Sequence, residues 1–320
     1  MKHLDTGIAT EIVKGLKNPL ASLAPKFFYD QKGSVLFNKI TGLTEYYPTR
    51  TEREILEQNS GAISEAVGEC ATVIEPGAGG CEKAEHLCRL LRPHRFVGVD
   101  ISADYLTAGV NRLKKVLPET EARAIAGDIT KEITLPSDIP RDRRLIFYPG
   151  SSIGNFDPDQ AVKLLSQLRK HLDEQGSLLI GVDLVKSVSV LEAAYNDKEG
   201  VTAAFNLNIL SHVNKLIGAN FQLEDWRHVA WFNQAQSRIE MHLEARRENS
   251  ISWPGGQRAF AKGERIHTEN SYKYTPDAFA SLLKRAGFDS QTPWTDQKNW
   301  YTMVLARPSS MPRRVGRLAC

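Results

Sequence analysis

The chain has 320 residues, of which 41 are basic and 38 acidic, so its formal net charge is +3. At about 150 residues per domain, this length allows two domains. The near balance of charge argues against a polyanion-binding surface, and no run of about 18 apolar residues could span a membrane. We therefore expect no nucleic-acid or membrane partner, but an enzyme and a binding module both remain possible.

The four cysteines carry little functional signal. Cys70, Cys81, Cys88 and Cys320 form no CxxC pair and have no histidine at zinc-finger spacing. We expect reduced thiols and no metal site. The start of the chain lacks the apolar core of a secretory signal, so the expected location is the cytoplasm.

The first part of the chain reads as helices, then as a regular alternation. Apolar spacing predicts a helix that ends near residue 20 and another over 51–67, with an aromatic segment at 25–48 between them. Short apolar runs then predict strands at 71–74, 95–100, 122–126, 144–148 and 177–183, separated by helical patterns at 82–91, 105–116 and 159–172. Such alternation is typical of a parallel sheet covered by helices on both faces.

This alternation stops after residue 184. A helical stretch is followed by period-two patterns at 221–228 and 236–244, which predict antiparallel strands. A helix at 276–287 and strands at 288–294 and 300–306 follow. We therefore expect an α/β fold, in which a Rossmann-like domain of residues 1–184 and 273–308 is interrupted by an α+β substrate-binding domain of residues 185–272. Residues 309–320 are basic and include a proline, which predicts a flexible tail.

A glycine turn and two acids mark the ends of the first three strands of the alternation. The turn EPGAGG, residues 75–80, would let a ligand approach the backbone. The third glycine of the dinucleotide fingerprint is replaced by Glu82, which argues against a dinucleotide. Asp100 and Asp128 end the next two strands. Each acid alone could be a helix cap, but together they form the usual arrangement of an S-adenosylmethionine (SAM) methyltransferase.

Further blocks of sequence resemble one family of such enzymes. They are YDQKGSVLFNKITGLTEYYPTRTE, EPGAGG, GVDIS, GDI, YPGSSIGNF, AAYNDKEGVTAAFNLN, IEMHLEA and HTENSYKY, in family order from about residue 24 to 307. These blocks resemble the histidine-specific Nα-methyltransferases of ergothioneine biosynthesis. The resemblance implies SAM-dependent trimethylation of L-histidine to hercynine. We expect a monomer.

The resemblance also implies a role for each matching residue. It places the SAM cofactor against Tyr46, Gly77, Lys83, Asp100, Asp128 and Ile129. It places the substrate against Phe37, Gly150, Asn155, Tyr195, Met241, Glu269 and Ser271, with Asn155 and Tyr195 at the carboxylate and Glu269 and Ser271 at the ring. Tyr29 is the expected catalytic residue, near the amine through a water molecule. Position 270 is asparagine here, where the family is expected to have an apolar residue.

The pair of Glu269 and Ser271 favours histidine on physical grounds as well. A neutral imidazole has one N–H donor and one acceptor nitrogen, so the glutamate can accept from one and the serine can donate to the other. Residues two apart on a strand point the same way. A ring without polar atoms would leave the carboxylate unpaired at a cost of several kcal/mol. Without the surrounding matches, the pair would be read as the polar face of a surface strand.

Three other interpretations stay open at this point. The first is a methyltransferase of the same family that acts on tryptophan, a prenylated tryptophan or tyrosine. The second is a non-catalytic binding protein with the same fold. The third, a nucleic-acid methyltransferase, would carry an (N/D)PPY-like tetrapeptide after the fourth strand, where this chain has PGSSIGN.

Transfer of a methyl group to an amine needs a neutral amine, in-line geometry and a dry site more than a strong base.

Overall fold

The computed structural model of the chain describes residues 6–309. Its helices are α1 (Thr6–Lys17), α2 (Gln31–Thr41), α3 (Pro48–Gln58), α4 (Ser60–Val67), α5 (Glu82–Leu91), α6 (Ala103–Val116), α7 (Pro158–Arg169), α8 (Val188–Ala193), α9 (Val201–Ile217) and α10 (Pro276–Arg285). Its strands are β1 (Ala21–Ser22), β2 (Thr72–Pro76), β3 (Arg95–Asp100), β4 (Glu121–Ala126), β5 (Arg144–Tyr148), β6 (Ser177–Asp183), β7 (Trp226–Asn233), β8 (Arg238–Ala245), β9 (Asn249–Trp253), β10 (Gly256–Phe260), β11 (Arg265–Tyr272), β12 (Phe288–Thr295) and β13 (Tyr301–Pro308). Apart from Ser309, the predicted tail lies outside the described residues.

Seven strands form the main sheet, in the order β12-β13-β6-β5-β2-β3-β4. The five strands from β6 to β4 are parallel, and β13 and β12 complete the sheet as antiparallel neighbours. Helices α7 and α10 cover one face, and α3, α4, α5 and α6 cover the other. Every residue of β2, β5 and β6 is consequently buried, which is why these strands read as unbroken apolar runs. The predicted Rossmann-like α/β class is confirmed.

A second sheet has the order β1-β11-β8-β7, and a separate hairpin joins β9 to β10. Strands β11, β8 and β7 are antiparallel, as the period-two pattern predicted. The prediction of a strand over 221–228 was wrong in its start, because β7 begins only at Trp226. The side chain of Asn214 donates to the carbonyl of Phe221 and accepts from its N–H, so this residue is unavailable to a β ladder. A 3-10 turn at Leu223–Asp225 follows.

The single helix predicted over 51–67 is two helices, α3 and α4, that meet at Asn59. The backbone of Asn59 has φ −110° and ψ 17°, outside the helical region. Its side-chain amide donates to the carbonyl of Ile55 at 2.9 Å. The same carbonyl also accepts from the Asn59 backbone N–H at 3.0 Å, so the two helices are separated by the φ and ψ of this residue and not by a lost backbone hydrogen bond.

The N-terminal segment packs with the second sheet. Strand β1 pairs in parallel with β11, with Ala21 opposite Ile266, and Ile12, Leu16 and Phe28 belong to the same buried core as β8 and α9. The predicted division assigned these residues to the Rossmann-like domain. We propose instead that residues 6–47 form part of the second lobe, together with residues from about 185 to 272.

The described residues include no helix long and apolar enough to cross a membrane. Cys70, Cys81 and Cys88 are buried free thiols. Burial raises the pKa of all three, to about 11 for Cys70, so they stay protonated and are poor nucleophiles. Cys320 lies outside the described residues. Within residues 6–309, no group of three or more His, Cys, Asp or Glu side chains is arranged to hold a metal ion.

Candidate active site

A cavity whose ≈ 600 Å³ of empty space includes open solvent lies between the carboxyl edge of the main sheet and the second sheet. Every residue predicted to bind substrate lines it, together with the two tyrosines predicted at positions 29 and 46: Tyr29, Phe37, Tyr46, Gly150, Asn155, Tyr195, Met241, Glu269 and Ser271. The fold thus brings together side chains from the N-terminal segment, the loop after β5, the turn after α8 and the second sheet. Their individual roles remain proposals.

Strand β11 presents Glu269 and Ser271 to the cavity because of a β-bulge. The register against β8 shifts between His267 and Glu269. Regular alternation from the buried Ile266 would have turned both residues to the outer face, since a one-residue slip exchanges the two faces of a strand. The bulge turns Asn270 outward instead, where its carbonyl oxygen lies 2.8 Å from His267 Nε2. Asparagine at position 270 therefore leaves the cavity unaffected.

Glu269 is an acid of the cavity wall with a raised pKa. Burial raises the pKa of its carboxyl to about 7, while the nearby Lys273 ammonium acts in the opposite direction. Its carboxylate makes no hydrogen bond with another described residue. Met241 lies opposite it in the β ladder. The acid can therefore accept a hydrogen bond from a ligand, and a bound N–H donor would favour its ionised form.

A buried charged cluster adjoins Ser271, and the sequence analysis did not identify it. Lys273 Nζ lies 2.7 Å from Asp183 Oδ2 and 2.8 Å from Ser271 Oγ. Asp183 also accepts from Tyr47 and Lys186. Burial alone would raise the pKa of Asp183, but the two ammonium groups hold it below its usual value. One signal was available, since Asp183 ends a predicted strand just as Asp100 does.

The loop after β5 is anchored by Glu52, a second residue that the sequence analysis missed. This buried carboxylate accepts from the Gly150 N–H at 2.7 Å, from the Tyr301 hydroxyl at 2.6 Å and from Lys83 Nζ at 2.6 Å. Gly150 has φ +78°, which favours glycine. Asn155 ends the 3-10 turn of this loop, and its amide is free of hydrogen bonds to other described residues and faces the cavity.

Aromatic rings close another side of the cavity. The Tyr29 ring lies 5.8 Å from that of Phe37, and the Tyr46 ring lies 6.4 Å from those of Phe37 and Tyr195. Burial, followed by the charge of Glu269, raises the pKa of the Tyr29 hydroxyl well above its usual value. Tyr29 is therefore a neutral phenol near pH 7. It can donate and accept a hydrogen bond, but it is not a phenolate base.

A second candidate site, the turn site, consists of the glycine turn and Asp100 at the carboxyl ends of β2 and β3. Gly77 and Gly79 have φ of +72° and +51°. The Gly79 N–H donates to Asp100 Oδ2 at 2.9 Å, and the Ser102 N–H donates to Asp100 Oδ1 at 2.8 Å. Asp100 therefore joins the turn to the start of α6, and each oxygen keeps a second lone pair for a ligand hydroxyl.

The residues predicted for the adenine lie at the next strand end. Asp128 accepts from Lys26 Nζ at 3.0 Å and from the Thr130 hydroxyl at 2.6 Å. Burial would raise the pKa of Asp128, but these hydrogen bonds keep it below its usual value. The Ile129 side chain reaches 3.8 Å from the point where a Cβ on Gly77 would lie. Ile129 therefore lies against the glycine turn, so Asp128 and Ile129 complete the turn site.

These features fit SAM. The glycine turn offers open backbone, and the Asp100 carboxylate suits the two hydroxyls of a ribose. Glu75, the first residue of the turn, is buried, and its Oε2 lacks a hydrogen-bond partner among the described residues. A cationic group of a ligand, such as the sulfonium or ammonium of SAM, would give this buried carboxylate a partner of opposite charge.

Gly109 supports the glycine turn from behind and provides a first prediction. A Cβ at this position would lie 2.4 Å from the carbonyl oxygen of Gly80. We expect Gly109→Ala to displace the turn and weaken SAM binding about tenfold, as overpacking against backbone commonly costs 1–3 kcal/mol, or roughly 5- to 150-fold. Isothermal titration with SAM measures this effect.

Gly61 provides the matched control, since it is also a helical glycine. A Cβ there would meet nothing within 4 Å. We expect Gly61→Ala to leave SAM affinity unchanged and to stabilise α4 by about 0.5–1 kcal/mol. Equal SAM affinity in both variants would contradict the close contact between α6 and the turn.

Sequence comparison places this chain among characterised methyltransferases. A family model described as "Histidine-specific methyltransferase, SAM-dependent" matches residues 8–308. A protein named histidine N-alpha-methyltransferase from Mycobacterium tuberculosis is 38% identical over 303 residues, covering 92% of this chain and 93% of that protein. Its namesake from Mycolicibacterium smegmatis is 39% identical with the same coverage. "Ergothioneine biosynthesis protein 1" of Neurospora crassa is 27% identical, covering 95% of this chain but 35% of that protein.

Proposed function

Because this chain belongs to the family of histidine-specific, SAM-dependent methyltransferases, we propose that it transfers methyl groups from SAM to the α-amine of L-histidine. The product would be hercynine, the trimethylated betaine, made as a step of ergothioneine biosynthesis. The observation that carries the choice of substrate is the buried pair of Glu269 and Ser271, turned together into the cavity. An acceptor and a hydroxyl side by side match the two nitrogens of a neutral imidazole.

Other residues of the cavity wall suit an α-amino acid. The free amide of Asn155 can donate to a carboxylate, and the Tyr195 hydroxyl lies in the same wall. Holding the substrate by its ring and its carboxylate leaves the amine between them without a tight partner. This binding mode leaves room for an amine that becomes larger with each added methyl group.

The amine would face the aromatic side of the cavity. The rings of Tyr29, Phe37 and Tyr46 exclude water there and tolerate a methylated cation against their faces. The substrate ammonium must lose a proton before it can attack. We propose that the neutral Tyr29 hydroxyl passes this proton to solvent through a water molecule, since burial beside a cationic group lowers the pKa of an amine.

The residues of the turn site would hold SAM, which supplies the electrophilic methyl group when bound. Asp100 would bind the ribose hydroxyls, and Asp128 with Ile129 would border the adenine. Because Gly77 has no side chain, it would let the cofactor lie close to the backbone. Lys83 and Tyr46 would lie where the cofactor meets the substrate, because Lys83 is tied through Glu52 to the Gly150 loop. The free, buried thiols agree with a reducing compartment, and we propose a cytoplasmic location. We also propose that the chain is a monomer.

One assay tests the choice of reaction and substrate. The full chain is incubated with SAM and a mixture of the twenty amino acids, and the products are identified by mass and fragmentation. We expect histidine alone to be consumed and to end as its Nα-trimethyl derivative. Methylation of tryptophan or tyrosine in its place would contradict the assignment of Glu269 and Ser271, and absence of any product would favour a binding protein.

A further inference from the structure

Lys273 is a buried cation in the cavity wall for which the proposed reaction has no direct use. Its side chain is 1% exposed. Nζ lies 2.7 Å from Asp183 Oδ2, 2.8 Å from Ser271 Oγ and 3.3 Å from the Tyr195 hydroxyl. An ammonium group has three donors and no acceptor. All three hydrogens therefore have partners within the protein, and Lys273 must act on a substrate through its neighbours.

These contacts determine what the Ser271 hydroxyl offers to a ligand. A hydroxyl has one proton and two lone pairs. Lys273 donates to Ser271 Oγ, and the Tyr195 hydroxyl donates to the same oxygen at 2.8 Å. Both lone pairs are thus occupied by protein donors. The serine proton remains, and the cavity is the open side toward which it can point.

The orientation persists if Tyr195 turns its own proton toward a substrate carboxylate. Lys273 still faces the serine oxygen at 2.8 Å. Coulomb attraction favours a hydroxyl whose oxygen points to the ammonium and whose proton points away from it. Ser271 therefore acts as a donor to the ligand in either state of Tyr195.

We propose that Lys273 is a specificity-determining positioning residue, which keeps Ser271 a hydrogen-bond donor so that the facing ring position must carry an unprotonated nitrogen. This inference rests on the proposed function. With Glu269 accepting from the other nitrogen, the site takes neutral imidazole in a single tautomer. An indole nitrogen only donates, so it leaves the Ser271 proton unpaired.

The test compares histidine with the two isomers of pyrrolylalanine. Each isomer keeps one ring N–H and has C–H in place of the other nitrogen. Kd is measured by calorimetry on the full chain loaded with S-adenosylhomocysteine, and the selectivity is the Kd of the better isomer divided by that of histidine. We expect a selectivity of roughly 30-fold in the wild type, and a fall of about tenfold in Lys273→Met, because Ser271 can then redirect its proton to Tyr195.

A double-mutant cycle shows whether Lys273 acts through Ser271. In the Ser271→Ala background, we expect Lys273→Met to leave the selectivity unchanged, since the hydroxyl it orients is gone. Lys186→Met is the matched control, because Lys186 also pairs with Asp183 but is not hydrogen-bonded to Ser271. We expect it to keep the wild-type selectivity. An equal fall in both lysine variants would assign the effect to charge alone and overturn the proposal.

Tyr195→Phe keeps the proposal testable even if Lys273→Met does not fold. This change removes the other donor to Ser271 but leaves Lys273 in place. We expect selectivity to be retained, because Lys273 still orients the hydroxyl. A fall in Tyr195→Phe would assign the orientation to Tyr195 and overturn the proposal, as would unchanged selectivity in a folded Lys273→Met chain. A wild-type chain that binds no histidine would overturn both this inference and the proposed function.

Discussion

We expect Glu269→Ala to bind SAM like the wild type and to lose about 100-fold in kcat/KM for histidine. The reason is that the variant leaves an imidazole N–H unpaired in a buried wall, and a hydrogen bond to a charged group is worth about 1.5–3 kcal/mol, or roughly 10- to 150-fold. Steady-state kinetics with histidine and titration with SAM measure the two effects separately. Unchanged histidine turnover would show that β11 does not hold the ring.

Glu269→Gln is the control for shape. Its amide oxygen can still accept from the ring, so we expect a loss nearer tenfold. The same variant reports on the raised pKa of Glu269, which is about 7 in the folded chain and about 4.3 in an unfolded one. Because the folded state holds the extra proton between these values, the free energy of unfolding should fall as pH rises from 5 to 8 in the wild type.

The glutamine variant should lose this pH dependence. A change of one in pKa corresponds to about 1.4 kcal/mol. At pH 8 we therefore expect the free energy of unfolding of the glutamine variant to exceed that of the wild type by on the order of 3 kcal/mol. Urea unfolding at pH 5 and pH 8 measures it. A variant that is more stable yet less active would show that the loss of activity does not come from unfolding. Equal pH dependence in both chains would contradict the buried, uncompensated state of Glu269.

The second large effect concerns SAM. We expect Asp100→Ala to weaken SAM binding by at least about 100-fold, because it removes a charged acceptor for the ribose and also releases the N–H groups of Gly79 and Ser102. Calorimetry with SAM and S-adenosylhomocysteine measures the loss. SAM affinity equal to that of the wild type would remove Asp100 from the ribose contact.

Asp104→Ala is the matched control for this position. Asp104 is an exposed acid in the first turn of α6, so the change removes a carboxylate from the same helix terminus. We expect its SAM affinity to match the wild type. Equal losses in both variants would indicate a general electrostatic effect of the helix terminus in place of a specific contact by Asp100.

Much of the main sheet follows from local sequence. Helix α5 and strands β3, β5 and β6 have the predicted bounds, because a strand buried on both faces must be apolar throughout and turns punctuate each end. The same logic places Asp100 at a strand terminus. The predicted bounds failed at Asn59, whose backbone leaves the helical region, and near Phe221, where the Asn214 side chain takes both backbone hydrogen bonds. Such local effects leave little trace in hydrophobic periodicity.

The packing partner of the N-terminal segment could not be predicted from the sequence. Its amphipathic helix and aromatic residues show that one side is buried, but not against what. The structure packs Ile12 and Phe28 with the second sheet, and Lys26 forms an ion pair with Asp128 of the turn site. These contacts join residues far apart in the chain, so composition alone could not assign the segment to either lobe.

The sequence by itself determined which chemical groups the site contains and that Glu269 and Ser271 share a face. It could not determine which face, since two-residue spacing is the same on either side of a strand. The bulge after His267 decides this by turning both residues inward. Only the tertiary structure also joins Lys273 to Asp183. That contact depends on how the two sheets meet, because electrostatic interaction follows distance in space and not separation along the chain.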